Sequence, residues 1–159
     1  MGDVINITNK ATNTEIISEE NITLEKLESI FQQAFYKTNI NGRFIIVQGH
    51  YKIYIVVESK VRLLRYTVYF NRPEKCNDLQ KVLHSINNKI SFTKFCGDNS
   101  GNIYTEYFLD YTGGITPMRI INSMRRFDSF TRTMMVELYK IIDKQVDVKP
   151  KPPLNIPDF

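Results

Sequence analysis

Apolar residues recur along this chain with two periods, and the changes between them mark out the elements. Leu24, Leu27, Phe31, Ala34 and Phe35 share a stripe at helical spacing, with Thr23 in the N-cap position and Ile22 placed to staple against Leu27. Asn41-Gly42 then marks a turn, and the period drops to two. The runs RFIIVQ, YKIYIVVE and VRLLRYTVYF predict three antiparallel strands in a meander, joined by a two-residue turn led by Gly49-His50 and by a second turn at ESK. In the third run Leu64, Tyr66, Val68 and Phe70 fall on one face and Arg65 and Thr67 on the other, the alternation of a sheet covered on one side.

Helical spacing returns at Leu79, Val82, Leu83 and Ile86, headed by Asn77 with Gln80 in the capping-box position. Two more strands follow, SFTKFC and NIYTEYFLDY, joined by GDNSG. A long helix from about Pro117 to Asp143 carries Ile120, Met124, Phe127, Met134, Leu138 and Ile141 on its apolar stripe. The order is helix, three strands, helix, two strands, long helix. It predicts an α+β domain with an antiparallel five-stranded sheet and the helices collected on one face. Tyr54, Val56, Tyr69 and Tyr107 are expected on the opposite face, too aromatic to stand wholly in water, so a homodimer through this sheet or through the last helix is expected.

Composition narrows the class. With 159 residues and 42% apolar content, one domain suffices, since a chain of roughly 150 residues buries about 70% of its unfolded surface. Residues 1–20 are polar and without period and are expected to form a mobile arm. Residues 21–145 form the domain, and residues 146–159, with four prolines among the last ten, an extended polyproline-like tail. No apolar run has the length of a membrane span and no export signal precedes the domain, which points to a soluble protein of the cytoplasm with no membrane partner. Cys76 and Cys96 fit ordinary thiols of a reducing compartment, the first quicker to react beside its helix and the second slower on its strand.

Charge is distributed unevenly. Residues 1–40 hold three lysines against six acids, whereas residues 41–144 hold sixteen Lys or Arg against nine acids. In the last helix Arg119 and Arg126, and likewise Arg125 and Arg132, are seven residues apart. They read as a solvated face, or as a basic ridge for an acidic partner. RNA or another polyanion on that ridge is the less favoured alternative to a protein partner.

Catalysis finds no seat. GDNSG looks like a serine-protease nucleophile loop, yet Asn99 interrupts the order, and His50 in a turn and His84 on a helix offer no supported base. The five residues are better read as hairpin chemistry. There is no HExxH, CxxC or Walker motif and no paired carboxylates, so no catalytic residue, metal or cofactor is expected. In DYTGGITPMR, Thr116 and Pro117 read as N-cap and first helical residue, and Gly113-Gly114 as the strand-to-helix joint; backbone N–H groups there also suit an anion.

The element order, with NRPEKCNDLQKVLHSINNKI leading to FCGDNSGNIYTEYFLDYTGGITPMRIINSMRRF, resembles the YbjN family of sensory transduction regulators. The matching parts are the Asn-rich helix end at Ile86-Asn87-Asn88, the D-x-x-G turn at Asp98 to Gly101, and the acidic strand end with Gly-Gly before the helix containing Phe127. The likeness covers about residues 22–144. It implies a fold similar to the type III secretion chaperones, small and usually dimeric proteins that bind extended segments of other proteins without doing chemistry. Those chaperones are typically acidic, and this domain is basic.

Overall fold

The computed structural model describes residues 15–146 apart from Lys75, Asn77 and Ser91, so residues 1–14 of the expected arm and all but the first residue of the expected tail lie outside it. Helix α1, Leu24–Gln33, starts where its cap predicts: the Thr23 hydroxyl accepts from the Lys26 N–H at 3.2 Å, and Leu27, Ile30 and Phe31 are buried behind it. The expected stripe is wrong at its last residue. The helix closes at Ala34, and Phe35 takes a left-handed backbone with φ 65° that turns its ring out to 96% exposure.

Six strands follow rather than five. The additional one is β1, Lys37–Asn41, joined through a tight turn at Gly42-Arg43 to β2, Phe44–Gln48. Its sequence KTNIN has a single apolar residue and no buried position, because it is an edge strand with α1 over one face, so it lacks the alternation that marked the others. The meander continues through β3, Lys52–Glu58, and β4, Leu63–Phe70. Helix α2, Leu79–Asn87, then crosses to β5, Lys94–Gly97, and β6, Ile103–Asp110, returns to lie between β5 and β4. All pairings are antiparallel in the order β1-β2-β3-β4-β6-β5.

The cap of α2 is Asp78, whose carboxylate accepts from the Lys81 N–H at 3.0 Å. Asn77, the expected cap, lies outside the described residues, and with Asp78 as cap the capping-box position falls on Lys81 rather than Gln80. GDNSG is hairpin chemistry as expected. The Asp98 carboxylate accepts from the N–H groups of Ser100 and Asn102 and from the Asn102 side-chain amide, and Gly101 takes φ 81°. These bonds, that of the Asn102 side chain first, hold the Asp98 carboxyl below the usual carboxylate range.

Helix α3, Pro117–Val146, lies across the same face of the sheet as α1 and α2 and is shared by two apolar clusters. Its first half packs with α1 and the strands β2 to β4 around Phe31, Tyr66 and Phe127; its second half packs with α2 and β5 around Val82, Phe95 and Leu138. The buried stripe runs Ile120, Met124, Phe127, Thr131, Met135, Leu138, Ile142. Met134 and Ile141, expected on it, are only half buried. A step of seven residues from Phe127 drifts by about 20° on a straight helix, so over a helix this long the core shifts to the next residue.

One long-range contact locks α3 to the meander. The Asp128 carboxylate accepts from the His50 N–H at 2.7 Å and the Tyr51 N–H at 3.2 Å. The β2–β3 connection is a three-residue loop, not the expected two-residue turn, and Gly49 keeps an ordinary φ. The glycine serves close approach instead, since a Cβ there would meet Asp128 Oδ2 at 2.6 Å. The cysteine order is also reversed. Cys76 is buried under α2, where desolvation pushes its thiol up, while Cys96, paired with Tyr104 in register, sits half exposed on the far face of the sheet.

Asp128→Ala is expected to cost about 2 kcal/mol by denaturant unfolding, since it strands two N–H donors of a loop from a charged acceptor. Gly49→Ala should destabilise through the same contact. A maleimide or thiol-exchange time course on the native protein should modify Cys96 well before Cys76.

Candidate interaction surfaces

The joint before α3 is both a strand-to-helix turn and an anion cradle, and the chain fills the cradle itself. Gly113 and Gly114 both take left-handed backbones, φ 79° and 93°. The Gly113 N–H donates to Glu19 Oε1 at 2.5 Å, and the other oxygen of that carboxylate pairs with the Arg62 guanidinium. Beside it Ile17 and Ile115 exchange backbone hydrogen bonds at 2.9 and 3.0 Å, and both side chains are buried. Ile17 and Glu19, within the stretch expected to be an arm, are therefore held against the domain. A Cβ on Gly114 would meet Ile16 Cγ2 at 2.6 Å and the Ile17 carbonyl at 2.7 Å, so this glycine is needed for the docked segment as well as for its φ. Thr116 caps α3, its hydroxyl accepting from the Arg119 N–H at 3.3 Å. The Thr112 N–H, at 2.8 Å, holds the Asp110 carboxyl below its ordinary range, with a smaller contribution from the Arg119 charge.

The four arginines do not form one ridge. Positions seven apart lie nearly in line on a helix and positions six apart about 120° around it, so the two pairs face opposite flanks of α3. Arg119 and Arg126 line a cleft of about 450 Å³ against β6, with Tyr107, Leu109 and Ser123 on its walls, and the Arg126 guanidinium lies 4.7 Å from the centre of the Phe92 ring. On the other flank Arg125 donates from Nε to the Tyr36 hydroxyl at 2.8 Å. Arg132 is exposed, its charge reaching the Tyr51 hydroxyl, which desolvation pushes up.

Among the described residues all three helices lie on one face of the sheet and leave the other face bare. Phe44, Tyr54, Tyr69 and Tyr104 form a ladder of rings across the four neighbouring strands β2, β3, β4 and β6, with centroids 5.5, 5.4 and 6.1 Å apart. Tyr69 is 59% exposed, and Phe108, on the same face beside Arg65, is 48% exposed. Arg65 sits among them between Glu58 and Glu106, at 3.0 and 3.2 Å. Tyr54, Val56 and Tyr69 are on this face as expected, and Tyr107 is not. Its register partner is Tyr66, so it points to the helices, stacking on Tyr66, Phe92 and Phe127 at 5.8, 4.6 and 6.1 Å. The Tyr66 hydroxyl, fully buried, bonds Ser123 at 3.0 Å, and burial pushes its pKa far above the ordinary phenol value. Tyr104 is placed by period-two counting from Ile103, whereas Phe44 is not, because the expected two-residue turn would put Ile45 opposite Tyr54 and only the three-residue loop turns Phe44 to this face.

Phe35 marks a third surface. The Tyr36 N–H bonds the Phe31 carbonyl at 2.9 Å, the closure usually made with glycine at the left-handed position. Beside Phe35, which stands two residues before the edge strand β1, a groove of about 220 Å³ opens between α1 and α3, lined by Ile30, Ala34, Met118, Ile121 and Arg125. Among the described residues no group of three metal-ligating side chains gathers, and no helix is long and apolar enough to cross a membrane.

An antiparallel α+β sheet with three helices on one face defines the class. The profile of the YbjN family, described as "Putative bacterial sensory transduction regulator", matches residues 23–135. The chain belongs to this family. The crystal structure of YbjN from E. coli has a similar fold, with a TM-score of 0.63 over 82% of this chain and 97% of that one at 14% identity. A search of curated proteins finds no match.

Three substitutions separate the roles at the joint. Thr116→Ala should cost about 1 kcal/mol through the lost cap, and Gly113→Ala, with open space around it, about 1–2 kcal/mol from its φ alone. Gly114→Ala should cost clearly more in urea unfolding, because its Cβ also displaces the docked segment, adding roughly 1–3 kcal/mol.

Proposed function

We infer that this protein is a non-enzymatic regulator of the YbjN type that acts in the cytoplasm by binding extended segments of a partner protein, as a homodimer with a fold of the type III secretion chaperone kind. Phe35 carries the reading. A phenylalanine that is 96% exposed at φ 65° gains nothing from the core and costs about 1 kcal/mol or more where glycine would sit without strain. Such strain points to a use outside the free molecule. The groove beside it gives an apolar side chain a seat, and the edge of β1 offers main-chain pairing to an extended segment. The aromatic ladder on the bare sheet face supports self-association, leaving α1 and the groove on the side away from it. A polyanion is less well supported, since its arginines divide between two flanks and two of them already rest on Tyr36 and Phe92.

Two measurements test this. Light scattering at tens of micromolar should give a dimer for the native chain and a folded monomer for Tyr69→Asp with Phe108→Asp; a native monomer overturns the dimer. Phe35→Gly should raise stability by about 0.5–1 kcal/mol yet abolish partner capture that survives high salt in the native protein. Capture that Phe35→Gly leaves intact and high salt removes would favour the polyanion reading instead.

A further inference from the structure

A groove at the far end of the molecule, remote from Phe35, matches a segment of the same chain. It has a volume of about 610 Å³ and lies between the last turns of α3 and the chain leaving β4. Tyr69 and Tyr139 flank it, 59% and 47% exposed; Phe70, Pro73 and Ile142 form its floor, and Glu74 and Asp143 stand on its rim with Arg72. Two exposed tyrosines over an apolar floor are the platform that polyproline II segments use, because their rings pack on proline and the preformed helix loses little entropy on docking.

Four residues beyond Ile142 α3 ends at Val146, and the chain continues as Asp147-Val148-Lys149-Pro150-Lys151-Pro152-Pro153. We propose that Lys149–Pro153 of the same chain folds back into this groove, its prolines against Tyr69 and Tyr139 and its lysines toward Glu74 and Asp143. Reach is sufficient. Asp147 and Val148 leave two residues for a reversal, and five residues in polyproline II form would extend roughly 15 Å at about 3.1 Å each, whereas Tyr139 and Asp143 are four helical residues, about 6 Å, apart. Charge agrees in sign: the two lysines face two carboxylates, and among the described residues lining the groove the cation is Arg72, on the β4 side. The proposal does not depend on the partner-binding reading of Phe35, although Tyr69 belongs both to this groove and to the aromatic ladder.

The test is amide NMR on the full chain, comparing the native protein with Pro150→Ser, Pro152→Ser and Pro153→Ser combined. Shift changes clustered at residues 69–74 and 139–146 are expected; changes confined to residues near the substitutions overturn the proposal. A second variant, Tyr139→Ser, exposed and therefore compatible with folding, should lower the heteronuclear NOE of Leu154 and Ile156 by releasing the tail. Unchanged tail dynamics in it count against the groove. Dilution over a hundredfold of Phe108→Asp, which weakens the sheet-face contact without touching the groove, should leave the Tyr139 and Asp143 signals in place, whereas shifts that move with concentration show the groove filled by a second copy and sink the intramolecular assignment.

Discussion

The pairing of β4 with β6 is the constraint on which the rest of the molecule depends. It runs through eight consecutive residue pairs, from Leu63 with Asp110 to Phe70 with Ile103. Bringing the last strand beside the fourth pushes β5 to the edge, and that placement obliges α2 to cross the sheet to reach it. The same register aligns Leu64, Tyr66 and Val68 with Leu109, Tyr107 and Thr105 on one face, which sets where α3 can lie. It also aligns Tyr69 with Tyr104 on the other face, so the helix-covered core and the bare aromatic face come from one set of hydrogen bonds.

The joint before α3 shows why a recognisable anion cradle need not be a binding site. Two left-handed glycines and a helix start present N–H groups that favour negative charge. Here Glu19 supplies that charge from within the chain, with Arg62 behind it, and the neighbouring Ile17–Ile115 bridge holds the segment in register. An external anion at Gly113 would have to displace a carboxylate that is tethered nearby at high effective concentration. The motif thus fastens the entry of the chain onto the start of its longest helix.

Much of this architecture is legible in the sequence, and each miss has a physical reason. The three helices, the meander and the final strand pair follow from periodicity, because each buries one face. β1 buries none of its residues, so KTNIN carries no pattern. Met134 and Ile141 were one residue out of phase because helical drift accumulates over thirty residues. Phe35 counts as apolar in any stripe; only the backbone closure at Ala34 and Phe35 turns it outward. Tyr107 was legible and misread, since Ile103, Thr105, Tyr107 and Leu109 alternate onto one face. The contacts of Glu19 and Asp128 span 94 and 78 residues and leave no local trace.

The division of the core into two clusters has a consequence for how the molecule opens. The second cluster is closed on the sheet side by β5, a strand of four residues at an edge, and α2 is fastened to it by the Asn87 side chain, which bonds the N–H and carbonyl of Phe95 at 2.9 and 2.8 Å. That unit carries less backbone pairing than the meander and can part from β6 while the cluster around Phe31 and Phe127 stays closed. The continuous α3 belongs to both, so such an opening bares the apolar side of its second half without unfolding the helix. The molecule is thereby layered in free energy, with a firm half at the start of α3 and a looser one at its end.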